Sequence, residues 1–219
     1  MASRGDIVAF FSAEQALELA RITDDQLRYW DRTGFFTSPR FKENVGSFSR
    51  IYTFRDVVGL RTVGDLRRRG VPWKELRELG RWFANRYAEP WSSLSFYISG
   101  GRLYFRDPAT GQLVSATKPT GQIAHGKLVD VERVAASVRR AFDSMKRRKR
   151  TEVGKVHRER YVADSQFVVA GTRIPTALIR EYVEDGFTPE RIAGLFPGLT
   201  VKDVNAALQH EHRKTRRAS

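Results

Sequence analysis

Two reciprocal helix-start signals near the N-terminus constrain this chain more than any other feature. Ser12-Ala-Glu-Gln15 and Thr23-Asp-Asp-Gln26 each set a hydroxyl residue three places before a glutamine, the spacing at which side chain and backbone cap one another. Between them fits one short helix ending near Ala20, then a tight turn through Arg21-Ile22-Thr23. A second helix follows and stops at Gly34, which suits a C-cap. In that helix Leu27 and Trp30 stand three apart and can anchor it. Gln26, Arg28, Tyr29 and Arg32 are left as candidates for the solvent face. Arginine and glutamine read base edges or clamp phosphates, and a tyrosine hydroxyl commonly meets a phosphate.

Phe35–Thr53 reads as irregular, with Ile-Tyr-Thr-Phe as a short strand-like element. Arg55–Arg69 is amphipathic, with Val58, Leu60, Val63 and Leu66 inside and Gly70 as the stop. Arg67-Arg68-Arg69 sits at that helix C-terminus, where cations favour the dipole, so a structural role is expected of it. Pro72 starts a further helix carrying Trp73, Leu76, Leu79, Phe83 and Tyr87 at spacings of three and four.

At Pro90 the period changes. SLSFYI, RLYFR and QLVSA are short β-rich runs separated by the turn sequences SGG and DPATG, and GQIAHGKLV offers a fourth strand. Such small sheets are marginal alone, so the hairpins either pack on a helix of the same chain or form a dimer contact. Asp130 caps that helix, whose apolar positions are Val131, Val134, Ala135, Val138, Phe142 and Met145. It ends in KRRKR at 146–150, which is either a solvated helix end or a set of phosphate contacts. Residues 151–160 are polar and read as a linker. Phe167-Val-Val reads as a brief strand. Three short helices follow, Pro175–Asp185, Thr188–Phe196 and Thr200 to about His212, stopped by Gly186 and Pro197.

The formal net charge of +14 points to a polyanionic partner. Residues 1–90 carry 16 Lys+Arg against 12 Asp+Glu, and residues 91–160 carry 15 against 6. Residues 161–212 carry only 4 against 7. The last region is therefore better suited to a protein surface than to nucleic acid. No apolar run approaches the ~20 residues of a membrane span, and the stretch opening MASRGDIVAFF is too short to make a signal peptide. The absence of cysteine excludes disulfides and thiolate metal sites and fits a cytoplasmic protein. His125, His157, His210 and His212 form no metal-ligand spacing, and no nucleophile-elbow, zincin or dinucleotide motif is present. The expectation is a non-enzyme with no catalytic residues, no metal and no cofactor.

Gly171-Thr-Arg173 ahead of Ile174-Pro175 admits two readings. A helix N-terminus leaves backbone N–H groups free for an anion, but a turn glycine followed by a proline at the first helical position is also plain punctuation. A phosphate loop would want a longer glycine-rich run and a lysine in register, and neither occurs here. Arg173 either pairs with Glu181, Glu184 or Asp185 or remains open to a partner.

LRYWDRTG, RIY and DVVGLRTVGDLRRRGVPWKEL, in that order over roughly residues 11–82, resemble the DNA-binding domain of the MerR family. The resemblance implies a winged helix-turn-helix inserting residues 24–32 in the major groove. It implies duplex contacts from Gln26, Arg28, Tyr29 and Arg32 on the helix and from Arg40, Lys42, Arg50 and Tyr52 in and beside the wing. The match stops where that family's long dimerisation helix should continue, which puts its usual effector sensing in doubt. GTRIP, DGFTPERI, FPGLTVKDV and AAL over residues 166–210 resemble a compact helical family of unknown function linked with VapB-type antitoxin modules.

Together these resemblances imply a mainly α fold with a small antiparallel β element: a winged helix-turn-helix plus a C-terminal trihelical, helix-turn-helix-like domain. The expected domains are 1–90 for duplex binding, 91–150 for the hairpins and basic helix, 151–160 as linker, and 161–219 as the antitoxin-like domain with its basic tail. They imply an antitoxin and homodimer that binds its own promoter and blocks a PIN-like ribonuclease toxin. Arg173, Tyr182, His210, Arg213, Lys214, Arg216 and Arg217 are the candidate toxin contacts. Two alternatives remain: a stand-alone MerR-like regulator, and a structural protein that binds nucleic acid through charge alone.

Overall fold

The computed structural model describes residues 10–36, 51–84, 86–115, 126–158 and 167–218. In chain order the first half contains β1 (Phe10–Ser12), α1 (Ala13–Ala20), α2 (Asp24–Arg32), β2 (Ile51–Thr53), α3 (Phe54–Arg68) and α4 (Trp73–Phe83). Then come α5 (Pro90–Ser93), β3 (Phe96–Ser99), β4 (Arg102–Arg106), β5 (Leu113–Val114), β6 (Lys127–Val129) and α6 (Val131–Met145). The last part holds a 3-10 turn (Arg150–Glu152), β7 (Val156–Arg158), β8 (Phe167–Val169), β9 (Ile174–Pro175), α7 (Thr176–Glu184), α8 (Pro189–Leu195) and α9 (Val201–Ala218). The fold is mainly α with small antiparallel sheets. It divides into two compact units, one from residues 1–18, 38–54 and 141–219, the other from 19–37 and 55–140.

In the second of these units α3 is the central helix. Its apolar residues Val57, Val58, Leu60, Val63 and Leu66 are buried together with Asp56, Arg61 and Thr62, so burial runs around most of the helix rather than along one stripe. Arg61 donates to the Leu19 carbonyl at 3.2 Å and faces Asp65 at 3.4 Å. Burial pulls its guanidinium below the usual arginine value, and the Asp65 charge opposes that pull. The four-stranded sheet runs in the order β5-β4-β3-β6, antiparallel throughout. Phe96 and Phe105 on its inner face meet Phe83 of α4 edge-on at 6.3 and 4.9 Å, and Trp91 stacks on Phe96 at 5.2 Å.

The other unit has its core in the C-terminal helices. Val169, Ile174, Leu178, Ile179, Ile192, Phe196 and Val204 are buried together, and Ile51 of β2 is part of the same cluster, with Phe10 of β1 packed against it. The N-terminal ribbon, in which Phe11 pairs with Tyr52, thus completes a core whose other members lie beyond residue 168. Residues 151–158, polar in sequence, hold part of the 3-10 turn and β7, which pairs with β8. The KRRKR run is partly built in. Arg148 donates to the Ala170 carbonyl at 2.9 Å and forms an ion pair with Asp203, with only 6% and 0% of the two side chains exposed. α9 starts on a reciprocal Thr200–Asp203 cap, in which each side chain accepts from the other's backbone N–H, at 3.3 and 2.8 Å. It runs six residues past His212, because no glycine or proline interrupts the sequence before Ala218.

Candidate nucleic-acid interface

Local hydrogen bonding sets the geometry of α1, its turn and α2. Gln15 accepts from the Ser12 N–H at 3.2 Å and its own N–H donates to the Ser12 hydroxyl at 3.3 Å. Thr23 and Gln26 repeat the exchange at 3.0 and 3.2 Å. Arg21 between the helices takes a left-handed φ of 53°. Its carbonyl accepts from Arg68 at 2.8 Å, which helps hold that uncommon backbone shape.

Leu27 and Trp30 are 1% and 3% exposed, so α2 is anchored by the two residues its sequence singled out. Gln26, Arg28, Tyr29 and Arg32 all lie on the exposed side. The carbonyl of Gln26 is used by the cap. Arg28 pairs with Asp24 at 2.6 Å, both more than 45% exposed. An exposed pair of this kind is worth at most about 1 kcal/mol, so a phosphate can outbid Asp24 for the guanidinium. Tyr29 is 37% exposed, and the Arg32 guanidinium lies 6.0 Å from its ring centroid.

α2 alone carries three aspartates against two arginines, so it cannot attract a polyanion unaided. The missing charge comes from α4, which the sequence reading did not single out. Arg77 donates to the Tyr29 hydroxyl at 3.0 Å, and its guanidinium lies over both the Tyr29 and Trp73 rings at 5.7 and 5.5 Å. Lys74, Arg77 and Arg81 fall three and four apart on α4. That spacing was legible in WKELRELGR, but its relevance depends on Tyr29 standing opposite.

Arg40, Lys42 and Arg50 lie outside the described residues. Tyr52 is 1% exposed, a packing residue of the β1–β2 ribbon. The three arginines at the end of α3 stay exposed, but each guanidinium donates to a backbone carbonyl: Arg67 to Val71 at 2.5 Å, Arg68 to Arg21, and Arg69 to Leu128 at 3.0 Å.

The Gly171–Pro175 turn is punctuation joined to the N-terminal ribbon. Gly171 has φ +70°, a left-handed shape that strains a side chain, and a Cβ there would also push the Glu152 carboxylate aside from 2.7 Å. Arg173 has φ 58°. The Thr172 carbonyl accepts from Gln15 at 3.0 Å and the Arg173 carbonyl from the Ser12 hydroxyl at 3.4 Å. The Arg173 guanidinium pairs with Glu18 of α1 at 2.9 Å. Tyr182 is buried at 9% exposure, edge-on to Phe187 and Phe196 at 5.1 and 5.2 Å. His210 is half-buried with its ring 4.1 Å from that of Phe167. Arg213, Lys214 and Arg216 are exposed on the last turns of α9; the Arg217 side chain lies outside the described set.

Among the described residues no group of three His, Asp or Glu is placed to hold a metal ion, and no helix is long and apolar enough to cross a membrane.

Residues 11–81 match the family model described as MerR HTH family regulatory protein, and residues 159–210 match one described as protein of unknown function, DUF433. No curated protein matches the chain. One solved structure with which it aligns is the X-ray crystal structure of Rv2018 from Mycobacterium tuberculosis. The identity is 13% and the TM-score 0.33, covering 94% of this chain and 99% of that one. The chain thus carries a segment similar to MerR HTH family regulatory proteins ahead of a segment similar to DUF433.

Proposed function

We propose that this protein is the DNA-binding antitoxin of a type II toxin–antitoxin pair, which represses its own promoter and neutralises a PIN-like ribonuclease. The observation that carries the reading is the joining of a regulator-type helix-turn-helix match to a small helical domain whose last helix turns basic and exposed beyond His212. It acts as a cytoplasmic homodimer without enzymatic activity, because two copies of α2 supply the half-site recognition one short helix lacks. On the duplex, Arg28, Tyr29, Arg32 and Arg77 clamp phosphates while Gln26 is offered to base edges, with Arg40, Lys42 and Arg50 contributing from the wing. Tyr52 is left out because it is buried.

On the toxin side, the exposed Arg213, Lys214 and Arg216 supply positive charge to an acidic metal-binding site, together with Arg217 by sequence. Tyr182 supports the fold from the core, and Arg173 already has a carboxylate partner in Glu18. His210 backs the α9 tail against Phe167.

The test uses substitutions, because the tail and the ribbon share a core. Arg28→Ala with Arg77→Ala should weaken protection of the promoter fragment about tenfold or more, since hydrogen bonds involving charge contribute roughly 1.5–3 kcal/mol each. Neutralisation of the toxin encoded beside it should persist. Arg213, Lys214 and Arg216 changed together to Glu should do the reverse. If the glutamate variant still neutralises, or if no toxic partner co-purifies with the chain, the antitoxin reading fails and a stand-alone regulator takes its place.

A further inference from the structure

The outer face of the β5-β4-β3-β6 sheet has the wrong composition for a surface meant only for water. A sheet packed on one side normally turns polar residues outward. Here Tyr97 of β3 lies directly opposite Tyr104 of β4 and also opposite Leu128 of β6. Strand alternation puts all three on the side away from Phe96 and Phe105, the pair that packs on α4. Leu128 is 43% exposed, and both tyrosines are half-buried. Arg102 and Arg106 flank Tyr104 on the same face, and the Arg106 guanidinium lies 5.9 Å from the Tyr97 ring centroid. None of the outward positions of β3, β4 and β6 is acidic.

From this face we infer a second nucleic-acid site, one that takes a single strand rather than the duplex. Aromatic side chains side by side on the two central strands of a small sheet give flat surfaces for unpaired bases to stack on. Arginines on either side of the aromatic row neutralise the phosphates between those bases. A duplex cannot use the row, because its bases are stacked on one another. A second copy of this chain suits the face less well. A two-fold contact would bring Arg102 and Arg106 against their own equivalents. Extension of the sheet at β6 would have to displace Arg69 from the Leu128 carbonyl.

The full chain should bind a labelled oligothymidine or oligouridine of about 10 nucleotides by fluorescence anisotropy, in the presence of excess unlabelled duplex. Tyr97→Ala with Tyr104→Ala should weaken this binding by about 10- to 100-fold, while Tyr97→Phe with Tyr104→Phe retains it and protection of duplex stays at the wild-type level. Binding of the DNA form, the RNA form or both supports the site, and a preference for RNA would add a 2′-hydroxyl contact. Circular dichroism checks that the Ala variant is folded. An unchanged affinity in that variant overturns the inference, as does a wild-type chain that ignores single strands. Conversion of a dimer to a monomer by the same substitutions, seen in sedimentation, also overturns it by assigning the face to a second copy.

Discussion

Asp203→Ala is expected to cost the folded chain about 5 kcal/mol, and Arg148→Ala about 3 kcal/mol, within the range for breaking buried ion pairs. The two side chains are 0% and 6% exposed, so water cannot replace either partner. The effects differ because the pair is not symmetrical. Without Arg148, Asp203 still accepts from the Gly154 N–H at 2.7 Å, the Thr200 N–H at 2.8 Å and the Thr200 hydroxyl at 2.6 Å. Without Asp203, α9 loses one half of its reciprocal cap, Gly154 loses its acceptor, and the Arg148 guanidinium keeps a carbonyl. Urea midpoints measure both variants. Losses below about 1 kcal/mol would mean that the pair behaves as a surface bridge.

The same carboxylate gives a pH dependence with a definite sign. Burial pushes the Asp203 carboxyl up, but the Thr200 hydroxyl, the Gly154 and Thr200 N–H groups and Arg148 together hold it below its ordinary value. The folded state then binds its proton less readily than the unfolded state. Its contribution to stability is therefore present above the unfolded pKa of about 3.9 and is lost as pH falls through the folded value. An Asp203→Asn chain should be less stable than wild type at neutral pH, with the gap closing as pH falls below the unfolded value of about 3.9. A gap that stays constant with pH would show that the carboxyl is not depressed.

A chain ending at residue 158 is expected to lose the β1–β2 ribbon as well as the C-terminal helices. Ile51 is part of the C-terminal core and Phe10 packs on it, and burial of side chains this size is worth roughly 1.5–3 kcal/mol each. The buried hydrogen bond from Gln15 to the Thr172 carbonyl would go with them. A three-residue ribbon cannot offset that loss. Amide hydrogen exchange at Phe11 and Tyr52 should rise to near-unprotected rates in the shortened chain. Unchanged protection would show that the ribbon stands alone. Under the proposed function, a loss of DNA binding by the truncated chain would follow from the ribbon's collapse, and would say nothing about a DNA contact in the C-terminal helices.

Much of the local geometry of the candidate interface was legible because its determinants lie within a few residues of one another. The two capping boxes, the Leu27–Trp30 anchor and the Asp130 cap, whose carboxylate accepts from the Glu132 N–H at 2.9 Å, all act over two to four positions. Arg77 was not singled out because its spacing on α4 gains meaning only from Tyr29, which is 48 positions away. Arg148 reads in sequence as one of five equal cations, and only Asp203, 55 positions on, sets it apart. Polar composition alone could not reveal the strand in 156–158, because a strand can draw its stability from the pairing partner.

By itself, the sequence determined where α2 and α3 begin and end, where α4 begins but not that it stops at Phe83, and which face of α2 is anchored. These follow from backbone hydrogen bonds and helical periodicity, which act between near neighbours. Tertiary structure alone decided that Gln15 meets Thr172 across 157 positions, that Ile51 completes a distant core, and that Tyr97 and Tyr104 share a face. Such pairings depend on which surfaces exclude water together, and no short-range pattern in the chain encodes that.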